Sequence, residues 1–173
     1  MNSKQLLWIV KREVIMKSKM KIMFVCAGNT SRSAMAEAIF KKMHDDIEVC
    51  SSGVIAETGR GSSQKTIDVC KSHGIDLSKH RATYFKDSNI GDMDLVLTFE
   101  QYQTSKIQIY YPDLKICTIR EFIGEYPPDI NDPVGGNYEV YDACFCEICR
   151  VLKKVSDKIK GIWFLSIKCL SFF

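Results

Sequence analysis

The chain has 173 residues, 46% of them hydrophobic and 26% charged, the balance of one globular domain rather than of a disordered or fibrous polypeptide. No apolar stretch reaches the roughly 20 residues that a membrane crossing requires. The net charge of +3 is an N-terminal property, because residues 1–19 alone carry +4 and leave −1 for the remainder; no basic surface for nucleic acid is expected.

Eight cysteines (26, 50, 70, 117, 144, 146, 149 and 169) are present, a density below the roughly 8–10% of disulfide-stapled secreted domains. Leu6–Val10 is a short apolar run followed by Lys11-Arg12-Glu13, not by the small residues of a secretory cleavage site. A cytoplasmic protein with reduced thiols is the expectation.

Residues 1–19 read as an extension, with Met20 a candidate start of the domain. Lys21–Val25 has the continuous apolar character of a buried parallel strand. Cys26–Ser33 is small and polar, and Ala34–Met43 is built of strong helix formers. A second strand is predicted over Ile47–Ser51, closed by Gly53. A helix over Ser62–His73 turns Ile67, Val69 and Cys70 inward and stops at Gly74. Asp94–Phe99 predicts a third strand, Glu100–Tyr110 a helix ending before Pro112, and Lys115–Ile119 a fourth strand. A long loop opens at Gly124 and runs through Pro127, Pro128, Asp132-Pro133 and Gly135-Gly136. A last helix covers Tyr138–Lys160.

Strands separated by helices predict an α/β domain, residues 20–160, with a parallel sheet. The strongly apolar tail, residues 161–173, is expected to pack on the domain; a partner or a membrane surface is the alternative.

In parallel sheets, ligands bind at the carboxyl ends of the strands, which directs attention to Cys26-Ala-Gly-Asn-Thr-Ser-Arg32-Ser33. A short strand-to-helix loop curls its backbone N–H groups into an anion nest, and the following helix turns its positive end to the same point. Arg32 adds a planar fork of donors matched to phosphate oxygens. Gly28 is expected to relieve steric limits, and Asn29 to tolerate a left-handed backbone. The field that binds phosphate also stabilises a thiolate at Cys26, with Ser33 placed to donate a hydrogen bond to the sulfur. A thiolate beneath a phosphoryl group is an in-line nucleophile, and a cysteinyl-phosphate intermediate follows. Neither G-x-x-x-x-G-K-[ST] nor G-x-G-x-x-G follows the strand, so nucleotide-binding loops fit less well.

Phe24-Val-Cys-Ala-Gly-Asn-Thr-Ser-Arg-Ser-Ala-Met-Ala-Glu37 closely resembles the signature of the low-molecular-weight protein tyrosine phosphatase family, and the likeness extends from Met20 to about Lys160. The resemblance implies a single doubly wound domain with a four-stranded parallel sheet flanked by helices, no metal and no cofactor. It implies Cys26 as nucleophile, Arg32 as phosphate ligand, and Asp132 of Asp132-Pro133 as the acid and base. Ala27, Gly28, Asn29, Thr30, Ser31 and Ser33 become the residues that bind a phosphate, sulfate or similar oxyanion. Phosphorylated proteins are the implied partners.

Three positions depart from the commonest pattern. Val134-Gly135-Gly136 stands where tyrosine-specific members place an aromatic pair, and Thr30 where they carry Ile or Leu; both features resemble the protein arginine phosphatase branch. A threonine hydroxyl accepts a hydrogen bond from a guanidinium, which an alkyl group cannot. Phosphoarginine is therefore the favoured substrate and phosphotyrosine the alternative, with Tyr138 or Tyr141 available to wall a phenol ring. Ser31 replaces a second loop cysteine of many relatives, which leaves Cys26 expected to oxidise to irreversible acids more readily. Ala34 replaces a proline and is acceptable in a first helical turn.

Arsenate reduction is less favoured, because Thr98–Ser105 holds no relay cysteine. A non-catalytic phosphoprotein-binding module is disfavoured by the joint presence of Cys26, Arg32 and Asp132. Cys144, Cys146 and Cys149 lie at offsets of two and five in the last helix, on different faces, so no metal site is expected from that run. His73 and His80 flank a turn and read as surface residues.

Overall fold

Successive side chains of the first strand, β1 (Met20–Cys26), serve two separate cores. Ile22, Phe24 and Cys26 enter the larger one, while Met23 and Val25 enter the smaller, as the period of two along a strand requires. Every one of the five is buried, so β1 is central and covered on both faces. The computed structural model describes residues 19–170, with side chains as far as Ile162.

β1 is followed by α1 (Arg32–Met43), β2 (Ile47–Gly53) and α2 (Gln64–Ser72). Two 3-10 turns, Phe85–Asp87 and Ile90–Asp92, lead to β3 (Leu95–Thr98), α3 (Gln101–Gln108), β4 (Ile116–Thr118), α4 (Ile119–Ile123) and α5 (Tyr138–Leu170). The four strands are all parallel in the order β2-β1-β3-β4. The chain thus leaves β1 to one side and later returns to its other side, which makes the carboxyl end of β1 a topological switch point where a crevice opens. The doubly wound, four-stranded parallel sheet expected from the sequence is the observed fold.

The larger core packs α1 and α5 on the sheet through Phe40, Phe145, Ile148, Leu152 and Val155. Phe24 and Phe40 meet edge to face at 5.5 Å, an arrangement that the ring quadrupoles favour. The smaller core closes the opposite face with Phe85, Ile90 and Ile107.

Several boundaries move from their expected places, each for a local reason. α1 begins at Arg32, not Ala34, because Met35 N donates to Ser31 O at 2.9 Å and closes a turn two residues earlier. β4 stops at Thr118 instead of continuing through Ile119. Thr118 accepts from Glu121 N and donates its own N–H to Glu121 Oε2 at 2.9 Å, a reciprocal capping box that starts α4. Only its first residue, Ile119, lies in what reads as a strand, the sequence reading assigns no element to residues 120–123, and Gly124 ends the helix with φ 79°.

α5 continues to Leu170 instead of ending at Lys160. Gly161 costs a helix only about 1 kcal/mol relative to Ala, and no proline follows it. The packing expected of the apolar tail concerns side chains outside the described residues, as does the structure of residues 1–18. The three clustered cysteines do diverge: Cys144 is buried, Cys149 half-buried and Cys146 exposed. No helix among the described residues is long and apolar enough to cross a membrane.

Candidate active site

Residues 26–33 leave the carboxyl end of β1 and turn into α1, and their carbonyls are pinned outward. Cys26 O accepts from Val54 N, Ala27 O from Ile55 N, and Thr30 O from Ser63 N, at 3.0, 3.0 and 3.2 Å. Asn29 O accepts from His80 Nε2 at 2.8 Å, which fixes the proton of that imidazole on Nε2. A trans peptide directs its N–H opposite to its C=O. Pinning these carbonyls therefore turns the following amides, of Ala27, Gly28, Thr30 and Ser31, toward the inside of the loop.

Asn29 is the centre of the scaffold. Its φ of 54° is the only left-handed value at a non-glycine residue among those described, as expected for an Asn in this position. The side chain is fully buried: Nδ2 donates to Ser33 Oγ and Ser51 Oγ at 2.8 Å each, and Oδ1 accepts from Thr83 N at 2.9 Å. Ser51 continues the network to Glu37. On the other side, Thr66 Oγ1 donates to Ser31 Oγ at 2.9 Å, tying α2 to the loop.

Cys26 Sγ lies 3.0 Å from Ser33 Oγ, the contact anticipated from sequence. The Ser33 hydroxyl also sits 3.3 Å from Ser52 O, so its one proton has two acceptors. A thiolate is the stronger of the two, since a charged acceptor roughly doubles a hydrogen bond.

Arg32, 1% exposed, is held from three directions. Nη1 donates to Glu100 Oε2 and to Ile130 O at 2.8 Å each, and Nη2 to Asp132 Oδ2 at 2.5 Å. Its Nε is buried and has no hydrogen-bond partner among the described residues. Burial alone would lower the Arg32 pKa, but the charges of Cys26, Asp132 and Glu100 outweigh it and raise the pKa above the ordinary value. Cys144, behind the site, is pushed up to about 12 by burial, partly opposed by Arg32.

The structure thus gathers Cys26, Arg32, Ser33 and Asp132 around one loop lined by residues 27–31. Two expectations change. A Cβ built on Gly28 would meet nothing closer than Thr30 Oγ1 at 3.6 Å, so the protein's own packing does not demand glycine there. The demanding position is Gly53, where a Cβ would fall 2.5 Å from Ala27 O and 2.8 Å from Asn29 N; the end of β2 lies directly against the loop. His80 is half-buried and bonded to the loop rather than being a plain surface residue.

Glu100 and Thr66 are further members that the sequence reading missed. Glu100 caps α3 in a capping box with Gln103, and only the fold brings that cap to Arg32. Of the aromatic residues available to wall a ring, Tyr141 is buried in the core, and the Tyr138 hydroxyl is bonded to Ser72 Oγ at 2.9 Å.

A thiol and a guanidinium sharing a loop at the switch point of this sheet, with an aspartate reaching in from a distant loop, define a cysteine-dependent protein phosphatase. The chain belongs to the family described as low molecular weight phosphotyrosine protein phosphatase, whose model matches residues 21–161. It is 33% identical over 141 residues to the low molecular weight protein-tyrosine-phosphatase PtpB of Staphylococcus epidermidis, covering 80% of this chain and 99% of that protein. It is 34% identical over 143 residues to a protein-arginine-phosphatase of Geobacillus stearothermophilus, covering 81% and 96%. Among solved structures, the low molecular weight protein tyrosine phosphatase from T. tengcongensis superposes with a TM-score of 0.74 at 38% identity, over 80% of this chain and 99% of that one.

Proposed function

We propose that the protein removes phosphoryl groups from protein side chains through a phosphorylated Cys26, with phosphoarginine the preferred substrate. The observation that carries the reading is the state of Arg32: a buried guanidinium whose Nε has no partner among the described residues and whose neighbouring Nη2 is held by Asp132. Two phosphoryl oxygens fit the edge formed by Nε and Nη2. Their arrival releases the Asp132 carboxyl for the leaving group, while Glu100 and Ile130 keep Nη1 fixed.

In the first step, the Cys26 thiolate attacks phosphorus. The S–P bond forms, the P–N or P–O bond to the substrate breaks, and protonated Asp132 gives its proton to the departing nitrogen or oxygen. In the second step, Asp132 takes a proton from water, the oxygen attacks phosphorus, and the S–P bond breaks to return thiolate and inorganic phosphate. Arg32 and the inward amides stabilise the charge on the equatorial oxygens in both transition states. Inorganic phosphate, sulfate and similar oxyanions occupy the same cradle. The seven described cysteines are free thiols, which supports a reducing, cytoplasmic setting for a thiol nucleophile.

The substrate preference rests on the rim. The backbone N–H groups of exposed Ile55 and Val134 donate to Ala27 O and Asp132 Oδ1, which sets their side chains as an aliphatic border suited to the stem of an arginine. Neither Tyr138 nor Tyr141 is free to flank a phenol, and Thr30 supplies a hydroxyl beside the cradle. The 34% identical protein-arginine-phosphatase supports the same choice, while the named tyrosine phosphatase relative makes phosphotyrosine the second reading.

Kinetics of wild type and Thr30→Ile on matched phosphoarginine and phosphotyrosine peptides test this, with Cys26→Ser as the inactive control. The substitution is expected to lower the phosphoarginine-to-phosphotyrosine ratio of kcat/KM by about tenfold, within the 1–3 kcal/mol of a single polar contact. A wild-type enzyme that prefers phosphotyrosine, or a ratio unmoved by Thr30→Ile, contradicts the reading.

A further inference from the structure

Away from the phosphate loop, the carboxyl end of α2 meets the first turns of α5 through His73. Its Nε2 lies 2.7 Å from Asp142 Oδ1, and its ring stacks on Phe145 with centroids 4.2 Å apart and planes 15° from parallel. The stacking holds the imidazole flat against α5 with Nε2 directed along the helix surface. Cys146 follows Asp142 by four residues and therefore stands on the same helix face. The ligand atoms of His73, Asp142 and Cys146 all lie within 4.8 Å of one another.

We propose that His73 Nε2, Asp142 and the Cys146 thiolate bind a zinc-class divalent ion, with water completing a tetrahedron. Zinc accepts nitrogen and oxygen donors at about 2.0–2.2 Å and sulfur at about 2.3 Å, so its ligand atoms stand about 3.3–3.8 Å from each other. The three donors already converge to nearly that scale. The nitrogen and oxygen need only part slightly, and the sulfur closes in. A mixed nitrogen, oxygen and thiolate set suits zinc better than magnesium or calcium, which favour oxygen alone. His73 and Cys146 are exposed and Asp142 is half-buried, which gives an ion direct access.

This site differs from the C-x-C-x-x-C run that draws the eye in the sequence. Cys144 is buried and Cys149 half-buried, and neither joins the cluster. The ion would clamp α2 to α5. α2 braces the phosphate loop through Ser63 and Thr66, and α5 begins where the Asp132 loop ends, so the clamp ties together the two helices that frame the site. Catalysis by Cys26 takes place without it.

The test is a cobalt(II) titration of the full chain carrying Cys26→Ser, which removes the catalytic thiolate as a competing ligand. One equivalent is expected to bind with the near-ultraviolet absorption of a thiolate–cobalt bond, and zinc is expected to displace it. Adding Cys146→Ser abolishes the band, adding Cys149→Ser leaves it, and adding His73→Gln weakens binding at least about tenfold, since even outer partners of metal ligands contribute that much. Zinc raises Tm in the Cys26→Ser protein and not in the same protein with His73→Gln. Absence of the band, a band that survives Cys146→Ser, or an equal zinc effect on Tm with and without His73 overturns the proposal and leaves an ordinary surface ion pair.

Discussion

The two loops that form the site are built by opposite means. The phosphate loop is held by its own short polar side chains: Asn29, Ser31 and Ser33 are all buried and bonded within a few residues or to the adjoining strand and helix. The acid loop, from Gly124 to Asn137, is held by cations reaching in from elsewhere. Arg120 donates to Pro127 O and Asp129 O, Arg32 to Ile130 O, and Lys65 to Gly136 O. Its tip is open, with Val134 68% exposed. A cradle that must present several donors to one anion gains from having them fixed before the anion arrives. The role proposed for Asp132, first to leave Arg32 and then to serve the leaving group, suits the more open segment.

Substitutions in each loop are expected to fail in different ways. Asp132→Ala removes the proposed proton donor, so kcat falls by about 10²–10⁴-fold, and it takes one partner from Arg32, which Glu100 and Ile130 still hold, so Tm falls only modestly. The loss is greatest for substrates with poor leaving groups and shrinks as the leaving group improves. A uniform loss across a leaving-group series, or a large fall in Tm, breaks the contrast.

Asn29→Ala acts on the other loop and on stability at once. It strands the Thr83 N–H, takes one donor each from the Ser33 and Ser51 hydroxyls, and places alanine at a φ of 54°. A cost of about 2–4 kcal/mol in urea unfolding is expected, together with a rise in KM as the cradle loosens. Unchanged stability with reduced activity would show that the network serves chemistry alone.

The effect furthest from the two loops concerns alkaline pH. Burial pushes the Cys70 and Cys144 thiols up to about 12 from an ordinary 9.0, with Cys149 adding to the effect at Cys70. The unfolded chain releases these protons first, so their contribution is intact below about pH 9 and is lost as pH rises through 12, by about 1 kcal/mol per pH unit for each thiol. Urea midpoints measured across that window are expected to fall less steeply in Cys144→Ala than in wild type. Equal slopes would place the loss elsewhere.

The same contrast explains what could be read in advance. The phosphate loop was legible because its chemistry is local: Cys26, Asn29, Arg32 and Ser33 lie within eight residues, and strand, loop and helix follow in order. The sheet was legible from the apolar runs of β1 and β3. The anchors of Arg32 were not, since Glu100 and the Ile130 carbonyl are 68 and 98 residues away and only the fold selects this glutamate and this carbonyl from the many in the chain. His80 and Thr66 were missed for the same reason, and Gly53 because its crowding comes from a backbone that only the folded chain brings alongside. Ile119 reads as the end of the fourth strand but opens α4, although the Thr118-x-x-Glu121 capping pattern stands in the sequence.

Rapid quenching of the Asp132→Ala enzyme with p-nitrophenyl phosphate, whose leaving group needs no proton, followed by mass mapping of the enzyme's fragments, addresses the central chemistry most directly. Slowed hydrolysis should let one phosphoryl group accumulate on the peptide that carries Cys26, and Cys26→Ala should abolish it. Phosphate found on another residue, or full turnover by the Cys26→Ala enzyme, would contradict a covalent route through that sulfur.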